Sequence, residues 1–129
     1  MKRVLLIDDM TTVLEQASLI LKDRYELSVC SGADEAAQIV EKERPDIILA
    51  DMYLEGDGAY RILKMIQGDE KLKDIPVLFT GCDVSVMALS KAFSLGAADF
   101  VKKPFTGNIV FKKIEEQLRL AETGFRYGP

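Results

Sequence analysis

Residues 47–50 form a short apolar run, Ile-Ile-Leu-Ala, that ends at a carboxylate, Asp51. The run does not alternate between apolar and polar residues, which is typical of a strand buried on both faces of a parallel sheet. Open α/β sheets carry their functional residues at the carboxyl ends of such strands. A solvated strand end would explain Asp51 alone, but three other predicted strands also end in polar residues of complementary type.

Four more apolar stretches predict strands, at residues 3–7, 25–30, 75–79 and 98–101. Residues 25–30 alternate apolar and polar side chains, which favours a place near the edge of the sheet. Helical spacing of apolar residues follows each strand. The predicted helices cover residues 13–21, 33–44, 59–67, 84–95 and 106–120, and Thr11 or Thr12 caps the first of them.

Five strands alternating with five helices predict a doubly wound α/β fold, in which helices cover both faces of a parallel sheet. For five such units we expect the flavodoxin-like strand order 2-1-3-4-5. The switch point of that topology lies between the first and third strands, which end at Asp8 and Asp9 and at Asp51.

The 129 residues suit one domain, which we place at 1–120, with 121–129 as a tail or the start of a linker. The net charge is −4 without a basic stripe, so we expect no direct contact with nucleic acid. No apolar run approaches the roughly 20 residues that cross a bilayer, so we expect no membrane insertion. Two cysteines without metal-binding spacing fit a cytoplasmic setting. Histidine is absent, which excludes an imidazole base and a phosphohistidine carried by this chain.

The predicted topology brings Asp8, Asp9, Asp51, Thr80 and Lys103 to one edge of the sheet. Three crowded carboxylates repel one another, and one would take a proton unless a positive charge compensates. Mg²⁺ could do so, because it binds one or two carboxylates, keeps several waters and also engages phosphate oxygens. The ammonium group of Lys103 is a second source of positive charge.

This set of groups suits phosphoryl transfer to a carboxylate, because aspartate forms an aspartyl-phosphate and the equatorial oxygens need positive charge. We assign Asp51 as the nucleophile, since it protrudes at the switch point from the central strand. Asp51 also belongs to the predicted metal site. The other predicted roles are direct metal binding by Asp9, water-mediated metal binding by Asp8, a backbone carbonyl ligand from Tyr53, and phosphoryl contacts from Lys103 and Thr80.

At these residues the chain resembles the receiver domain of a two-component response regulator of the chemotaxis-regulator type. The resemblance covers residue 2 to about residue 120, nearly the whole chain. Each matching piece lies at the end of its own strand and follows the order and spacing of the family. The pieces are Asp8 with Asp9, Asp51, Thr80 with Gly81, and the segment Gly-Ala-Ala-Asp-Phe-Val-Lys-Lys-Pro-Phe at 96–105.

The resemblance implies that a sensor histidine kinase or a histidine phosphotransfer protein phosphorylates Asp51. It implies that Thr80 moves toward the phosphoryl group while Phe100, the switch aromatic, turns inward, and that the bond between Lys103 and Pro104 is cis. Such a domain promotes only its own phosphorylation and dephosphorylation, so we do not expect an enzyme that acts on another substrate.

We expect phosphorylation to shift a two-state equilibrium that partners detect at residues 84–120, the fourth helix, fifth strand and fifth helix. As a hypothesis, the same face forms a phosphorylation-dependent homodimer. One departure from the family lies after the acceptor, where Glu55 replaces a usual proline and Gly58 comes one residue early. This departure bears on metal affinity and loop geometry.

A receiver-like module that binds partners without phosphorylation is the main alternative, and the altered loop keeps it open. A haloacid-dehalogenase-type phosphatase would place Asp-x-Asp at the end of the first strand, where this chain has adjacent aspartates. An FMN-binding flavodoxin would need a glycine- and hydroxyl-rich loop there, and residues 9–13 contain no glycine.

Overall fold

The computed structural model describes residues 1–124, and within them five strands alternate with five α-helices. The strands are β1 (Arg3–Ile7), β2 (Glu26–Cys30), β3 (Ile47–Asp51), β4 (Val77–Gly81) and β5 (Asp99–Lys102). The helices are α1 (Thr11–Leu21), α2 (Ala33–Glu43), α3 (Gly58–Gln67), α4 (Val86–Leu95) and α5 (Gly107–Glu122). A short turn, Glu55–Asp57, leads into α3.

The strands form one parallel sheet in the order β2-β1-β3-β4-β5, which confirms the predicted fold. β2 lies at an edge of the sheet, as its alternating pattern predicted. The register aligns Ile7 with Ala50 and Asp51 with Thr80, so the ends of β1, β3 and β4 lie side by side. In the described part of the chain, no helix is both long and apolar enough to cross a lipid bilayer.

Two hydrophobic cores, one on each face of the sheet, explain why the sequences of the three inner strands, β1, β3 and β4, lack alternation. Alternate residues of a strand point to opposite faces, and both faces are covered by helices. Helices α2, α3 and α4 pack on one core, which contains the strand residues Leu5, Ile7, Ile48, Ala50, Val77, Phe79 and Phe100. Helices α1 and α5 pack on the other, which contains Val4, Leu6, Ile47, Leu49, Leu78 and Val101.

Several boundaries differ from the prediction, including the starts of β4 and α4, and two of the differences arise because polar residues take part in regular structure. β4 extends to Gly81 rather than ending at residue 79, since Thr80 and Gly81 continue the pairing with β3 and β5. The predicted cap of α1 is wrong: Met10 occupies that position without a side-chain cap. The carboxylate of Asp8 instead accepts the N–H of Met10 at 2.9 Å.

The last helix continues past the predicted end at residue 120, to Glu122. The assignment of 121–129 as a tail or linker concerns in part residues 125–129, which lie outside the described residues.

Candidate functional site

Five residues from the ends of four strands meet at one edge of the sheet. Asp8 and Asp9 directly follow β1, Asp51 is the last residue of β3, Thr80 lies near the end of β4, and Lys103 follows β5. Asp9 is exposed, whereas the other four are buried. Because charged side chains are rarely buried unless they are paired, this edge of the sheet is the strongest candidate for a functional site.

A buried ion pair joins the first and fifth strands. The Nζ atom of Lys103 lies 2.8 Å from Oδ2 of Asp8 and 3.6 Å from Oδ2 of Asp51. The side chain of Asp8 is fully buried, and its Oδ1 accepts the N–H of Met10. Both oxygens of Asp8 therefore have partners, and one lysine amine lies close to two carboxylates.

Asp51 is held from its own loop and is only 5% exposed. Its Oδ1 accepts the N–H of Tyr53 at 3.1 Å. Burial raises the pKa of Asp51 above its usual range, and the charges of Asp8 and Asp9 add to that rise. The Tyr53 N–H and the Lys103 ammonium oppose the rise without cancelling it. The carboxylate is therefore costly to ionise without a further positive charge.

The pKa of Lys103 is also raised, but by its neighbours rather than by burial. Burial alone would lower the pKa of its amine, but the hydrogen bond with Asp8 and the charge of Asp51 outweigh burial, so the pKa is raised. The amine therefore stays positively charged beside the two carboxylates. Its backbone N–H donates to the carbonyl of Gly81 at 2.8 Å, which fixes the start of the loop after β5 against β4.

Three carboxylates form a potential metal site, since Asp8, Asp9 and Asp51 each offer an oxygen within 4.8 Å of the others. Carboxylate oxygens are the donors that Mg²⁺ prefers. A divalent cation would also offset the repulsion that raises the pKa of Asp51. The residues present therefore fit a magnesium ion. The Tyr53 carbonyl as a further ligand remains a prediction.

Thr80 carries a polar atom without a partner. Its side chain is fully buried, and Oγ1 has no hydrogen-bond partner in the described part of the chain. Buried hydroxyl groups are nearly always hydrogen-bonded, and exceptions call for an explanation such as a missing ligand. Thr80 is the register neighbour of Asp51, so a group bound to Asp51 would lie beside this hydroxyl.

Phe100 points inward and packs near the residue that follows Thr80. Its ring atom Cζ lies 3.1 Å from the point where a Cβ of residue 81 would be, and a Tyr53 ring carbon lies 3.5 Å from that point. The absence of a side chain at Gly81 therefore lets the Phe100 ring approach the backbone more closely than a residue with a Cβ would allow. The bond between Lys103 and Pro104 is cis, as the resemblance implied. The role of Phe100 as a switch remains a prediction.

The loop after Asp51 reaches α3 through two residues in the left-handed region. Gly56 has φ 63° and Asp57 has φ 55°. Glycine adopts this conformation freely, and aspartate is among the few other residues that do so often. Gly58 packs so closely that a Cβ there would lie 2.9 Å from Cβ of Leu54. The shortened loop thus has a defined path without the proline usual in the family.

Sequence reasoning missed three parts of the site. It did not identify Asp8 as the hydrogen-bond partner of Lys103, nor Gly81 as the residue against which Phe100 packs. It also missed Lys113, which donates to the carbonyl of Phe100 at 2.7 Å. The predicted helix at 106–120 includes Lys113, but only side-chain geometry identifies its partner.

The sequence matches the family model described as a response regulator receiver domain over residues 4–115. The chain belongs to the response regulator receiver family. This receiver is therefore a signalling domain of two-component systems, as the resemblance implied. The match includes Asp8, Asp9, Asp51, Thr80 and Lys103 within its bounds.

Curated relatives of this receiver are longer proteins. It is 24% identical over 129 residues to the phosphate regulon transcriptional regulatory protein PhoB of Pseudomonas aeruginosa, covering 99% of this chain and 56% of PhoB. It is 29% identical over 107 residues to the two-component response regulator ARR14 of Arabidopsis thaliana, covering 79% of this chain and 27% of that protein. The chain spans about half the length of PhoB and of the Mycolicibacterium smegmatis regulator MtrA.

Solved structures share the same architecture. A response regulator from Chloroflexus aurantiacus is 28% identical and has a TM-score of 0.85, covering 92% of this chain and 98% of that one. The chemotaxis response regulator CheY4 of Vibrio cholerae has a TM-score of 0.82 and covers 91% of this chain and 98% of its own. At 24% identity, the second comparison shows the fold alone.

Proposed function

We propose that this receiver accepts a phosphoryl group on Asp51, in a Mg²⁺-dependent reaction, from the phosphohistidine of a sensor histidine kinase or a histidine phosphotransfer protein. The observation that carries the proposal is the buried Asp51 carboxylate with Lys103 and two further carboxylates within reach. We place the reaction in the cytoplasm, where two-component kinases present their phosphohistidine.

In the proposed transfer, a carboxylate oxygen of Asp51 attacks the phosphorus of the donor. A phosphorus–oxygen bond forms, the phosphorus–nitrogen bond breaks, and the electron pair returns to the donor imidazole. The Lys103 ammonium, 3.6 Å from Asp51, supplies positive charge where the phosphoryl oxygens would lie. A bound Mg²⁺, held by Asp8, Asp9 and Asp51, would neutralise further charge on the carboxylates and phosphoryl oxygens.

The partnerless hydroxyl of Thr80 supports a role in sensing the phosphoryl group. A phosphoryl oxygen beside Asp51 would give Oγ1 the hydrogen-bond acceptor that none of the described residues supplies. Phe100 packs against Gly81, the next residue, so a shift of Thr80 would reach the ring directly. Phosphorylation would thus bias Phe100 toward its inward position and shift the population of states at the surface.

We propose that partners read this change on the face made of α4, β5 and α5, and that the same face forms a homodimer on phosphorylation. Several large apolar side chains in α4 and the turn before it are exposed, namely Val84, Val86, Met87 and Phe93. Exposed apolar surface of this kind marks interaction sites. Light scattering with and without a phosphoryl mimic would show the mass change.

The central test is phosphorylation by acetyl phosphate with Mg²⁺, followed by intact mass. We expect the parent chain to gain one phosphoryl group and Asp51→Asn to gain none. Asp57→Asn is the matched control, because Asp57 is an exposed carboxylate in the same loop and asparagine suits its positive φ. A folded parent chain that gains no phosphoryl group would favour the alternative, a receiver-like module that only binds partners.

A further inference from the structure

The main chain around Phe100 is held on both sides by charged side chains. The carboxylate of Asp99 accepts the N–H of Phe100 at 2.7 Å. The ammonium of Lys113, on α5, donates to the carbonyl of Phe100 at 2.7 Å and also pairs with Asp99 at 3.1 Å. One ion pair therefore contacts both polar groups of a single residue.

This ion pair is only partly exposed, with 32% of the Lys113 side chain and 20% of the Asp99 side chain accessible. Hydrogen bonds to charged groups are the stronger class, and partial burial protects them from screening by salt. The contacts therefore favour one position of the Phe100 backbone relative to α5. Since a side chain follows its backbone, they also favour one position of the ring.

A chain of contacts links the Phe100 ring to the site formed by Asp8, Asp51 and Lys103. The ring packs over Gly81, whose carbonyl accepts the N–H of Lys103, and the amine of Lys103 binds Asp8. A displacement of β5 at Phe100 would therefore change the packing beside Thr80. Helix α5 therefore positions the main chain of Phe100 in addition to covering one face of the sheet.

We propose that Lys113 and Asp99 act as positioning residues, which hold the main chain of Phe100 so that its ring stays inward over Gly81. The inference rests on the proposed function for the meaning of the inward state. Loss of the Lys113 ammonium would release the Phe100 carbonyl and let the ring populate an outward position, even without phosphorylation.

The test measures exposure of the phenylalanine rings by NMR, with isotope-labelled phenylalanine and a paramagnetic agent dissolved in the solvent. The chain supplies internal references, since Phe79 is fully buried and Phe93 is 46% exposed. In the unphosphorylated parent chain, we expect the protection of Phe100 to lie between that of Phe79 and that of Phe93 and closer to Phe79, so that phosphorylation can still increase it. In Lys113→Met, we expect its broadening to move toward that of Phe93.

Three further variants separate positioning from a general structural role. Lys113→Arg keeps a donor for both contacts and should restore protection of the ring. Lys112→Met removes the same charge from the neighbouring, exposed position on α5 and should leave the ring protected. Asp99→Asn weakens the pair from the other side and should reproduce the effect of Lys113→Met, which keeps the test valid if one variant fails to fold.

A folded Lys113→Met chain whose Phe100 ring stays as protected as it is in the parent chain would overturn the proposal, even if its melting temperature falls. In a second arm, the rate of phosphorylation by acetyl phosphate should fall in Lys113→Met and recover in Lys113→Arg. If the parent chain takes up no phosphoryl group at all, the proposed function fails, while the exposure of the ring still decides the positioning role.

Discussion

At the scale of single residues, the buried polar groups of the site differ in whether the fold supplies their hydrogen-bond partners and compensates their charge. Asp8 has partners for both carboxylate oxygens, whereas Asp51 has a raised pKa and the hydroxyl of Thr80 has no partner among residues 1–124. Functional sites often retain such unfavourable groups, because the bound ligand supplies the hydrogen bond or the opposite charge that the fold does not. Substitution at Thr80 or Asp51 should therefore affect stability and function in opposite directions.

Replacing Thr80 with valine should stabilise the protein while it removes the phosphorylation response. A buried hydroxyl without a partner costs about 1–3 kcal/mol, and valine has nearly the same shape without the polar atom. We expect Thr80→Val to raise the free energy of unfolding by roughly 1 kcal/mol in urea titrations. The ring of Phe100 should no longer respond to acetyl phosphate. A loss of stability would show that the hydroxyl has a partner in the folded protein.

The stability difference between Asp51→Asn and the parent chain should depend on pH. Because burial raises the pKa of Asp51, the folded chain keeps this proton to a higher pH than the unfolded chain does. Between the ordinary aspartate pKa, about 3.9, and the raised value, the unfolded chain binds fewer protons. The free energy of unfolding contributed by this group therefore falls as pH rises through that window.

Asparagine cannot ionise, so Asp51→Asn should be more stable than the parent chain above that window. The advantage should shrink as pH falls through that window and vanish below about 4, where Asp51 becomes protonated in both states. Urea unfolding at a series of pH values, with a chelator to remove divalent metal, measures this difference. Asp57→Asn serves as the control for a change of charge on the surface. A difference that does not vary with pH would contradict the assigned shift.

At the scale of elements, the loop between β3 and α3 connects Asp51, at the end of β3, to the first turn of α3. It contains two left-handed residues in succession, Gly56 and Asp57, followed by the tightly packed Gly58. The sequence indicated that this loop is shorter than is usual in the family. The path of its backbone could not be predicted, because it depends on the packing of Gly58 against Leu54. Local sequence patterns do not report such contacts.

Gly58→Ala tests whether this packing matters. Alanine would gain up to about 1 kcal/mol in helix propensity at the start of α3. Its Cβ would lie 2.9 Å from Cβ of the buried Leu54, and overpacking of this kind costs about 1–3 kcal/mol. We expect the clash to outweigh the propensity gain, with a lower melting temperature and weaker Mg²⁺ binding if the Tyr53 carbonyl, the proposed ligand, is displaced. A more stable variant with unchanged Mg²⁺ affinity would show that the loop adapts freely.

At the scale of the whole molecule, the strand order and the meeting of charged residues followed from the sequence, because both depend on simple regularities. Unbroken apolar runs such as 47–50 predict strands with two covered faces, and the strand ends then lie on one edge. The contacts within that edge did not follow. Lys103 lies near both Asp8 and Asp51, and only the packed side chains decide which carboxylate it binds more closely.

Magnesium should stabilise the entire domain by mass action, because the proposed site exists only in the folded state. At 100-fold excess over the dissociation constant the gain is about 2.7 kcal/mol. Asp9→Asn should lose most of this gain, although without metal it should be no less stable, since Asp9 adds to the repulsion at Asp51. Asp23→Asn, at an exposed position, is the control. Equal stabilisation of all three proteins would place the metal elsewhere.

The two cysteines differ in a way that gives the chain a natural attachment point for a probe. Cys30 is buried, and burial raises the pKa of its thiol to about 11, so it stays protonated and shielded near neutral pH. Cys82 is exposed and directly follows Gly81, against which Phe100 packs. Since alkylating reagents attack the accessible thiolate, a maleimide dye should label the unaltered chain at Cys82 alone. A fluorophore could thus report on the acidic site without an engineered cysteine.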